Sequence, residues 1–156
     1  MTNNDVLRKI RYVFDYSDKK MMSIFKEGEL EVTREQLSNF LKKDDAEDYK
    51  NIFDKQLAHF LNGFIIEHRG KREGPSPKAE KSLNNNIVLR KLKIALNLKV
   101  EDIVDLIALA NIKISKHEIT AFFRKPGQSQ YRPCLDQFLR HFLLGLQLKY
   151  RKPEEE

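Results

Sequence analysis

An internal repeat constrains the fold of this chain more than any other feature. Residues 3–69 align with residues 85–151 at a constant offset of 82 positions, without a gap, and 16 of the 67 pairs are identical. The segment "NNDVLRKI" returns as "NNIVLRKL", and most other apolar positions exchange only for apolar ones. Self-similarity of this length predicts that one structural unit occurs twice.

The spacing of the apolar residues predicts four helices in each copy. In the first helix, Val6, Leu7 and Ile10 fall on one stripe of a 3.6-residue period, and the second copy repeats that stripe. No segment alternates long enough to predict a strand. We therefore expect an all-α protein with two homologous repeats of about four helices each, packed with pseudo-twofold symmetry. The predicted helices run over 4–15 and 86–98, 18–26 and 101–110, 33–42 and 115–125, and from 54 and 136 onward.

Several of the predicted helix ends carry capping residues. An asparagine stands ahead of each first helix, and an aspartate begins each fourth helix, which predicts N-caps at both places. The third helices begin with "TREQ" and "SKHE", which predict capping boxes. Gly28 and Asn111 follow the second helices, where a left-handed residue commonly ends a helix.

The predicted domain organisation follows from the repeat and from the charge. Residues 1–69 form the first repeat, with net charge −1, and residues 85–152 form the second, more basic repeat. Between them, residues 70–84 are rich in Gly, Pro and Lys, as expected of a linker. Residues 153–156 form an acidic tail. The second half carries a charge of +8 over residues 84–152, and such asymmetry is typical of a chain that meets a polyanion.

Composition narrows the class of protein further. Apolar residues make up 40% and charged residues 33% of the chain, which is typical of a globular protein. The one cysteine, Cys134, permits no internal disulfide and no zinc-type cysteine pair, and we expect it to be a small core residue. No apolar run reaches the length of a membrane span, and the first residues lack the apolar core of a signal peptide. A cytoplasmic location is therefore expected.

The repeated polar residues indicate structure rather than catalysis. His59 and His141 each follow an aspartate by five residues, so histidine and aspartate do not share a helix face. Each histidine lies one turn before a mid-helix glycine, where a close helix crossing would explain the cost of glycine. Since no phosphate-binding loop or metal motif occurs, we predict no enzymatic activity, no cofactor and no metal. The repeated signature consists of Asn4, Asn86, Asp54, Asp136, His59, His141, Gly63 and Gly145.

The basic residues are the candidates for binding. Arg8 and Arg11 lie opposite the apolar stripe of the first helix, and Arg90 and Lys93 repeat that arrangement. One interpretation is a solvated face or a set of ion pairs. The other is contact with phosphate groups, made by Arg8, Arg11, Arg90, Lys91, Lys93, Lys116, Thr120 and Arg124.

Residues 101–125 also admit a helix-turn-helix interpretation. Their third helix would present Lys116, His117, Thr120 and Arg124 to a major groove, above Ile119, Phe122 and Phe123. Against this interpretation, the turn "NIKI" is apolar and lacks the usual glycine. The first repeat has "DDAED" after its third helix, which would repel phosphate, so the two copies are expected to differ in role.

Three segments carry a resemblance to a known family. "NNNIVLRKLKIA", "FLNGFIIEHRGK" and "YRPCLDQFLRHFLLGL", in this order and spacing, resemble the YehS-like family of bacterial proteins, which consists of two tandem copies of a domain of unknown function. The resemblance covers about residues 3–151. It implies a bacterial, cytoplasmic, helical protein, and it implies no catalytic residue.

Two functions are therefore kept. The first is a nucleic-acid-associated or regulatory protein that binds DNA or RNA through the second repeat. The alternative is a protein-interaction or self-associating adaptor, in which the acidic residues 44–48 dock on the second repeat of another copy. Neither function involves a membrane or a small-molecule substrate.

Overall fold

The computed structural model describes residues 1–151, so the predicted acidic tail at 153–156 lies outside the described residues. Within residues 1–151 the chain forms eight α-helices and no strand. The first four are α1 (Asn3–Phe14), α2 (Asp18–Glu27), α3 (Arg34–Leu41) and α4 (Asp54–Arg69). The other four are α5 (Asn85–Ala95), α6 (Val100–Leu109), α7 (Lys116–Phe122) and α8 (Asp136–Tyr150). None of the helices in the described residues is long and apolar enough to span a membrane.

These helices are distributed over two compact units, Met1–Leu83 and a second unit that starts at Asn84. In the first unit α2 packs against α4, and α1 and α3 pack on the same core. In the second unit α6 packs against α8, with α7 on α6 and α5 on α8. The prediction of an all-α protein with two repeats of about four helices each is confirmed. The predicted pseudo-twofold packing stays a prediction.

A close helix crossing organises the core of each unit. A Cβ atom on Gly63 of α4 would overlap the carbonyl oxygen of Ile24 on α2. A Cβ atom on Gly145 of α8 would overlap the carbonyl oxygen of Leu106 on α6 in the same way. Ile24 and Leu106 are themselves 82 positions apart, so both repeats use the same crossing. The glycines let two backbones approach to a distance that any side chain would prevent.

Asn4 and Asn86 are buried and hold the connection between the third and fourth helix of each unit. The Asn4 side-chain amide donates to Phe40 O at 2.9 Å and to Lys50 O at 2.8 Å, and Ile52 N donates to Asn4 Oδ1 at 3.1 Å. Asn86 makes the same three bonds, at 2.9–3.0 Å, to Phe122 O, Arg132 O and Cys134 N. The long connection is thereby pinned to the first helix of its unit.

The predicted N-caps of the first and fourth helices were wrong. Thr2 and Asn84 cap α1 and α5, one residue earlier than the asparagines that were expected to do so. Those asparagines, Asn3 and Asn85, lie in the first turn and instead donate at 2.7 Å to Asp54 and Asp136. Each aspartate is the first residue of its helix rather than the cap. The carboxylate that was expected to cap the fourth helix therefore accepts a hydrogen bond from the first helix of the same repeat instead.

Three other helix ends also differ from the prediction. Gly28 has φ −83°, and Glu29 takes the left-handed conformation with φ 67°. Gly28 is needed for space, because a Cβ there would overlap the carbonyl oxygen of His59. The capping box at Thr33 is confirmed, whereas the Glu118 carboxylate accepts from the Ser115 hydroxyl instead of from a backbone N–H. Finally, α7 ends at Phe122, three residues before the predicted end.

Candidate functional site

Three basic side chains on α1 and at the end of α3 in the first unit are engaged by acidic neighbours. Arg8 pairs with Asp5 on the same helix at 2.7 Å. Arg11 approaches Asp18, at the start of α2, at 3.5 Å. At the end of α3, Lys42 pairs with Asp48 at 3.1 Å.

The Arg8–Asp5 pair shows how the first unit holds its charges. Partial burial would raise the pKa of Asp5, but hydrogen bonds from the Thr2 backbone and from Arg8 outweigh it and lower that pKa below its ordinary value. Asp5 therefore remains ionised and shields the Arg8 guanidinium. These pairs are partly exposed, so each contributes little to stability, but each reduces the local positive potential.

The second unit keeps these three basic positions and loses all three acidic partners. At the offset of 82 positions, Arg8, Arg11 and Lys42 correspond to Arg90, Lys93 and Arg124. Their acidic partners Asp5, Asp18 and Asp48 correspond to Ile87, Val100 and Gln130. Within residues 1–151, no acidic side chain pairs with Arg90, Lys93 or Arg124. We call these three residues the basic cluster.

The basic cluster is built on α5 and on the residue that follows the C-cap of α7. Arg90 and Lys93 lie one and two turns beyond Asn86 on the same side of α5. Asn86 itself donates to Phe122 O, which brings the end of α7 to this side of α5. The Lys93 ammonium lies 5.6 Å from the ring centroid of Phe123, the residue next to Arg124. The cluster therefore brings Lys93 over one aromatic ring, with Arg90 on the same side of α5 and Arg124 next to the ring in the chain.

The other predicted phosphate contacts do not join this cluster. Lys91 is only 9% exposed, so little of its side chain is accessible to a polyanion. Lys116 is engaged in an ion pair with Glu101. The Thr120 hydroxyl donates to Lys116 O at 2.8 Å and is thus satisfied within its own helix. We leave these three residues out of the candidate site.

The helix-turn-helix interpretation finds little support in the geometry of α7. This helix has seven residues, which is about two turns, and Arg124 lies beyond its end. Two of the side chains that would read base edges, Lys116 and Thr120, are engaged as described. His117 is exposed. Phe123, which was expected in the core beneath the helix, is only half-buried, whereas Phe122 is buried.

The repeated histidines have different partners in the two units. His59 Nδ1 donates to Gly28 O at 2.6 Å and so ties α4 to the end of α2. His141 Nδ1 donates to Gln137 O of its own helix at 2.6 Å, so this histidine bonds within α8 rather than across the crossing. No three His, Cys, Asp or Glu side chains within residues 1–151 are arranged to hold a metal ion.

A polar cluster at the end of α4 occurs only in the first unit. Glu67 pairs with Lys20, and this bond lowers the pKa of Glu67 below its ordinary value. Tyr16 and His68 share a hydrogen bond of 3.0 Å, and burial against aromatic rings lowers the pKa of His68. In the second unit, Tyr16 and His68 correspond to Leu98 and Tyr150, and Lys20 and Glu67 correspond to Asp102 and Lys149. This cluster is therefore not part of the duplicated architecture.

Two features of the basic cluster were missed by the interpretation of the sequence. One is Phe123, whose periodicity placed it in the core. The other is the loss of the acidic partners, which could have been found by comparing charge changes at paired positions of the repeat. That comparison needs the knowledge of which acid pairs with which base, and the tertiary contacts of the first unit supply it.

Comparisons with known proteins agree with the duplicated architecture. Residues 3–70 and residues 85–152 each match a family described as protein of unknown function, DUF1456. A protein of Escherichia coli (strain K12) described as "Uncharacterized protein YehS" is 43% identical over 147 residues, which are 94% of each chain. No solved structure matches the chain significantly.

Proposed function

Since the chain belongs to the DUF1456 family and carries two copies of its domain, we propose that the copies have different roles and that the second binds nucleic acid. One observation carries the proposal. Arg90, Lys93 and Arg124 keep the basic positions of the first repeat, while their acidic partners have become Ile87, Val100 and Gln130. The three cations are retained and their three acidic partners are lost. Such an arrangement favours binding of a polyanion over an internal network of ion pairs.

Phosphodiester groups fit this site chemically. Arginine and lysine side chains neutralise backbone phosphates and release condensed counterions, so binding depends strongly on salt. Contacts of this kind position a nucleic acid without reading its bases. The proposed role is therefore binding rather than catalysis, in the cytoplasm, with DNA or RNA as the polymer.

The first experiment measures binding of labelled DNA and RNA by fluorescence anisotropy at increasing salt. In a plot of log Kobs against log salt concentration, three phosphate contacts would give a slope of about −2.7 for a duplex, at about −0.9 per contact, and about −2.1 for a single strand, at about −0.7 per contact. The charge-reversal variant Arg90→Glu/Lys93→Glu should lose binding. The matched variant Arg8→Glu/Arg11→Glu changes the corresponding pair in the first repeat and should bind within about twofold of the unchanged chain, since those cations are already neutralised.

A second set of variants returns the acidic partners to the second repeat. Ile87→Asp, Val100→Asp and Gln130→Asp place carboxylates where the first repeat has Asp5, Asp18 and Asp48. The first two positions lie in the first turn of a helix, where a carboxylate is favourable. The combined variant keeps every basic residue and should still lose most of its affinity. Binding of neither polymer at low salt, or equal loss in the two charge-reversal variants, would contradict the proposal.

One observation favours the alternative, a self-associating adaptor. Phe53 is 70% exposed and Leu135, its counterpart, is 56% exposed, so both repeats present a large apolar side chain at the start of their last helix. Size-exclusion chromatography with light scattering should then show a dimer or a larger species that Phe53→Ser/Leu135→Ser dissociates. A strict monomer at all concentrations contradicts this alternative.

A further inference from the structure

We propose that the polymer bound by the basic cluster is single-stranded and that one of its bases stacks on Phe123. The inference rests on the proposed function and concerns the same site. The juxtaposition that carries it is an aromatic ring, half-buried at the end of α7, with the Lys93 ammonium over it and Arg124 next to it in the chain.

The ring is placed for contact with a ligand. Phe123 is the C-cap of α7, and its neighbour Phe122 fills the core position, so the ring of Phe123 is not needed there. The Lys93 ammonium lies over the ring at 5.6 Å from its centroid, a long cation–π contact. Arg124 follows in the chain and has no acidic partner in the described part of the chain.

The two repeats differ at the position of Phe123 as well as in the acidic residues around the basic positions. The counterpart of Phe123 is Leu41, which is also half-buried and lies beside Lys42 with its partner Asp48. At this position the first repeat therefore has a leucine beside a paired cation, whereas the second repeat has an aromatic ring beside a cation without an acidic partner in the described residues. The two changes together are what a single-stranded nucleic acid requires, since it offers base faces as well as phosphates.

The chemistry distinguishes a single strand from a duplex. In a duplex the base faces are covered by their neighbours, so the ring would have nothing to stack on. In a single strand the bases are free, and proteins bind such strands through basic grooves with aromatic side chains. We infer that the Lys93 ammonium leaves the ring when a base arrives and moves to an adjacent phosphate, with Arg90 and Arg124 holding the next phosphates.

The first test compares three probes of similar charge: a deoxythymidine oligonucleotide, the corresponding duplex and inorganic polyphosphate. Phe123→Leu introduces the residue that the first repeat tolerates at this position. It should weaken binding of the oligonucleotide by roughly five- to 150-fold, the range expected for one lost base–aromatic stack. Binding of polyphosphate by the same variant should stay within about twofold, because no base is present. A thermal melt of the variant checks that it is folded.

The second test uses the absence of tryptophan from the chain. Phe123→Trp introduces a single indole, whose fluorescence should be quenched by the oligonucleotide and not by polyphosphate. This variant should also bind the oligonucleotide at least as tightly as the unchanged chain, since a larger ring offers a larger stacking surface.

The outcomes separate this inference from the proposed function. Suppose that the oligonucleotide binds with the expected salt dependence, but Phe123→Leu has no effect and the indole fluorescence is not quenched. The stacking inference is then overturned, whereas the proposal that the basic cluster binds nucleic acid is retained. Tighter binding of the duplex than of the single strand would overturn it as well. If no probe binds at low salt, both proposals fail. Selective loss in Phe123→Leu together with quenching supports the inference.

Discussion

Asn4 and Asn86 show why a single side chain can be indispensable in a helical protein. Each is buried and uses its amide to satisfy one carbonyl group at the end of the third helix, and one carbonyl group and one N–H group of the connection that follows it. An irregular connection lacks the regular backbone hydrogen bonds of a helix, and its buried backbone groups need other partners. Asparagine is suited to this role because it has both a donor and an acceptor at one end.

Replacement of Asn4 by alanine should therefore destabilise the first unit. The buried groups Phe40 O and Ile52 N and the part-buried Lys50 O lose their partner, and each unsatisfied buried group costs about 1–3 kcal/mol, so we expect a loss of about 2 kcal/mol or more in the free energy of unfolding. Asn4→Asp should be at least as harmful, because a carboxylate cannot donate to Phe40 O and Lys50 O. Urea denaturation followed by circular dichroism measures the effect.

The matched control is Asn51→Ala in the same connection. Asn51 is exposed and accepts one hydrogen bond from the Tyr49 hydroxyl, so its loss should cost less than about 1 kcal/mol. Equal effects of Asn4→Ala and Asn51→Ala would show that the buried network is not what holds the connection.

Cys134 should be chemically inert in the folded protein. It is buried at the position of Ile52 in the first repeat, and burial raises the pKa of the Cys134 thiol to about 12. At pH 8 almost no thiolate exists, and the thiolate is the reactive form. Ellman's reagent should thus label the chain slowly at pH 8 and rapidly after denaturation in guanidinium. Fast labelling of the native protein would contradict the burial of this thiol.

At the scale of the helices, the sequence indicated which elements exist but not what their glycines contact. The apolar period places four helices in each repeat, and a glycine inside the longest helix is unfavourable unless another backbone lies close. The partner backbone, at Ile24 in one unit and Leu106 in the other, became known only from the packing of α2 on α4 and of α6 on α8.

Gly63→Ala and Gly145→Ala should each destabilise their unit strongly. The added Cβ would overlap a carbonyl oxygen of the crossing helix, and backbone cannot move aside as a flexible side chain can. Overpacking of a core costs about 1–3 kcal/mol and sometimes more, and we expect the upper end of that range. Thermal denaturation of the two variants checks this.

Gly127→Ala is the control for these glycine variants. No atom lies within 4 Å of the Cβ that it would add, and Gly127 has no left-handed backbone. Its unfolding midpoint should match that of the unchanged chain or exceed it slightly, because alanine restricts the unfolded state. Wild-type-like stability of Gly63→Ala would show that α2 and α4 are farther apart than the structure has them.

At the scale of the whole molecule, duplication has been followed by divergence of charge. Both repeats keep the same crossing, the same buried asparagine and the same basic positions. They differ in the acidic residues that surround those positions, including the loop at 44–48, whose counterpart at 126–130 has no acidic residue. A fold that is held by its core can change its surface charges at little cost to stability.

This divergence predicts that binding can be created in the first repeat. Asp5→Asn and Asp18→Asn, combined with replacement of residues 44–48 by the sequence of residues 126–130, would free Arg8, Arg11 and Lys42. On the background of Arg90→Glu/Lys93→Glu, which lacks the basic cluster, this variant should regain salt-dependent binding of nucleic acid. Anisotropy titrations measure the gain, and circular dichroism controls for folding. No gain above the background variant would show that the location in the second unit matters as well as the unpaired cations.

The amino-acid sequence was sufficient for the duplication, the all-α class, the approximate bounds of the helices and the basic character of the second half. These properties depend on periodicity and composition, which are local and can be read along the chain. The sequence alone did not show that Asn4 and Asn86 hold the connections between helices, or that Gly28 leaves space for the carbonyl oxygen of His59. It also did not show which cations have an acidic partner. Those properties depend on contacts between residues that are tens of positions apart, such as Asn4 with Lys50, and such contacts form only when the helices pack.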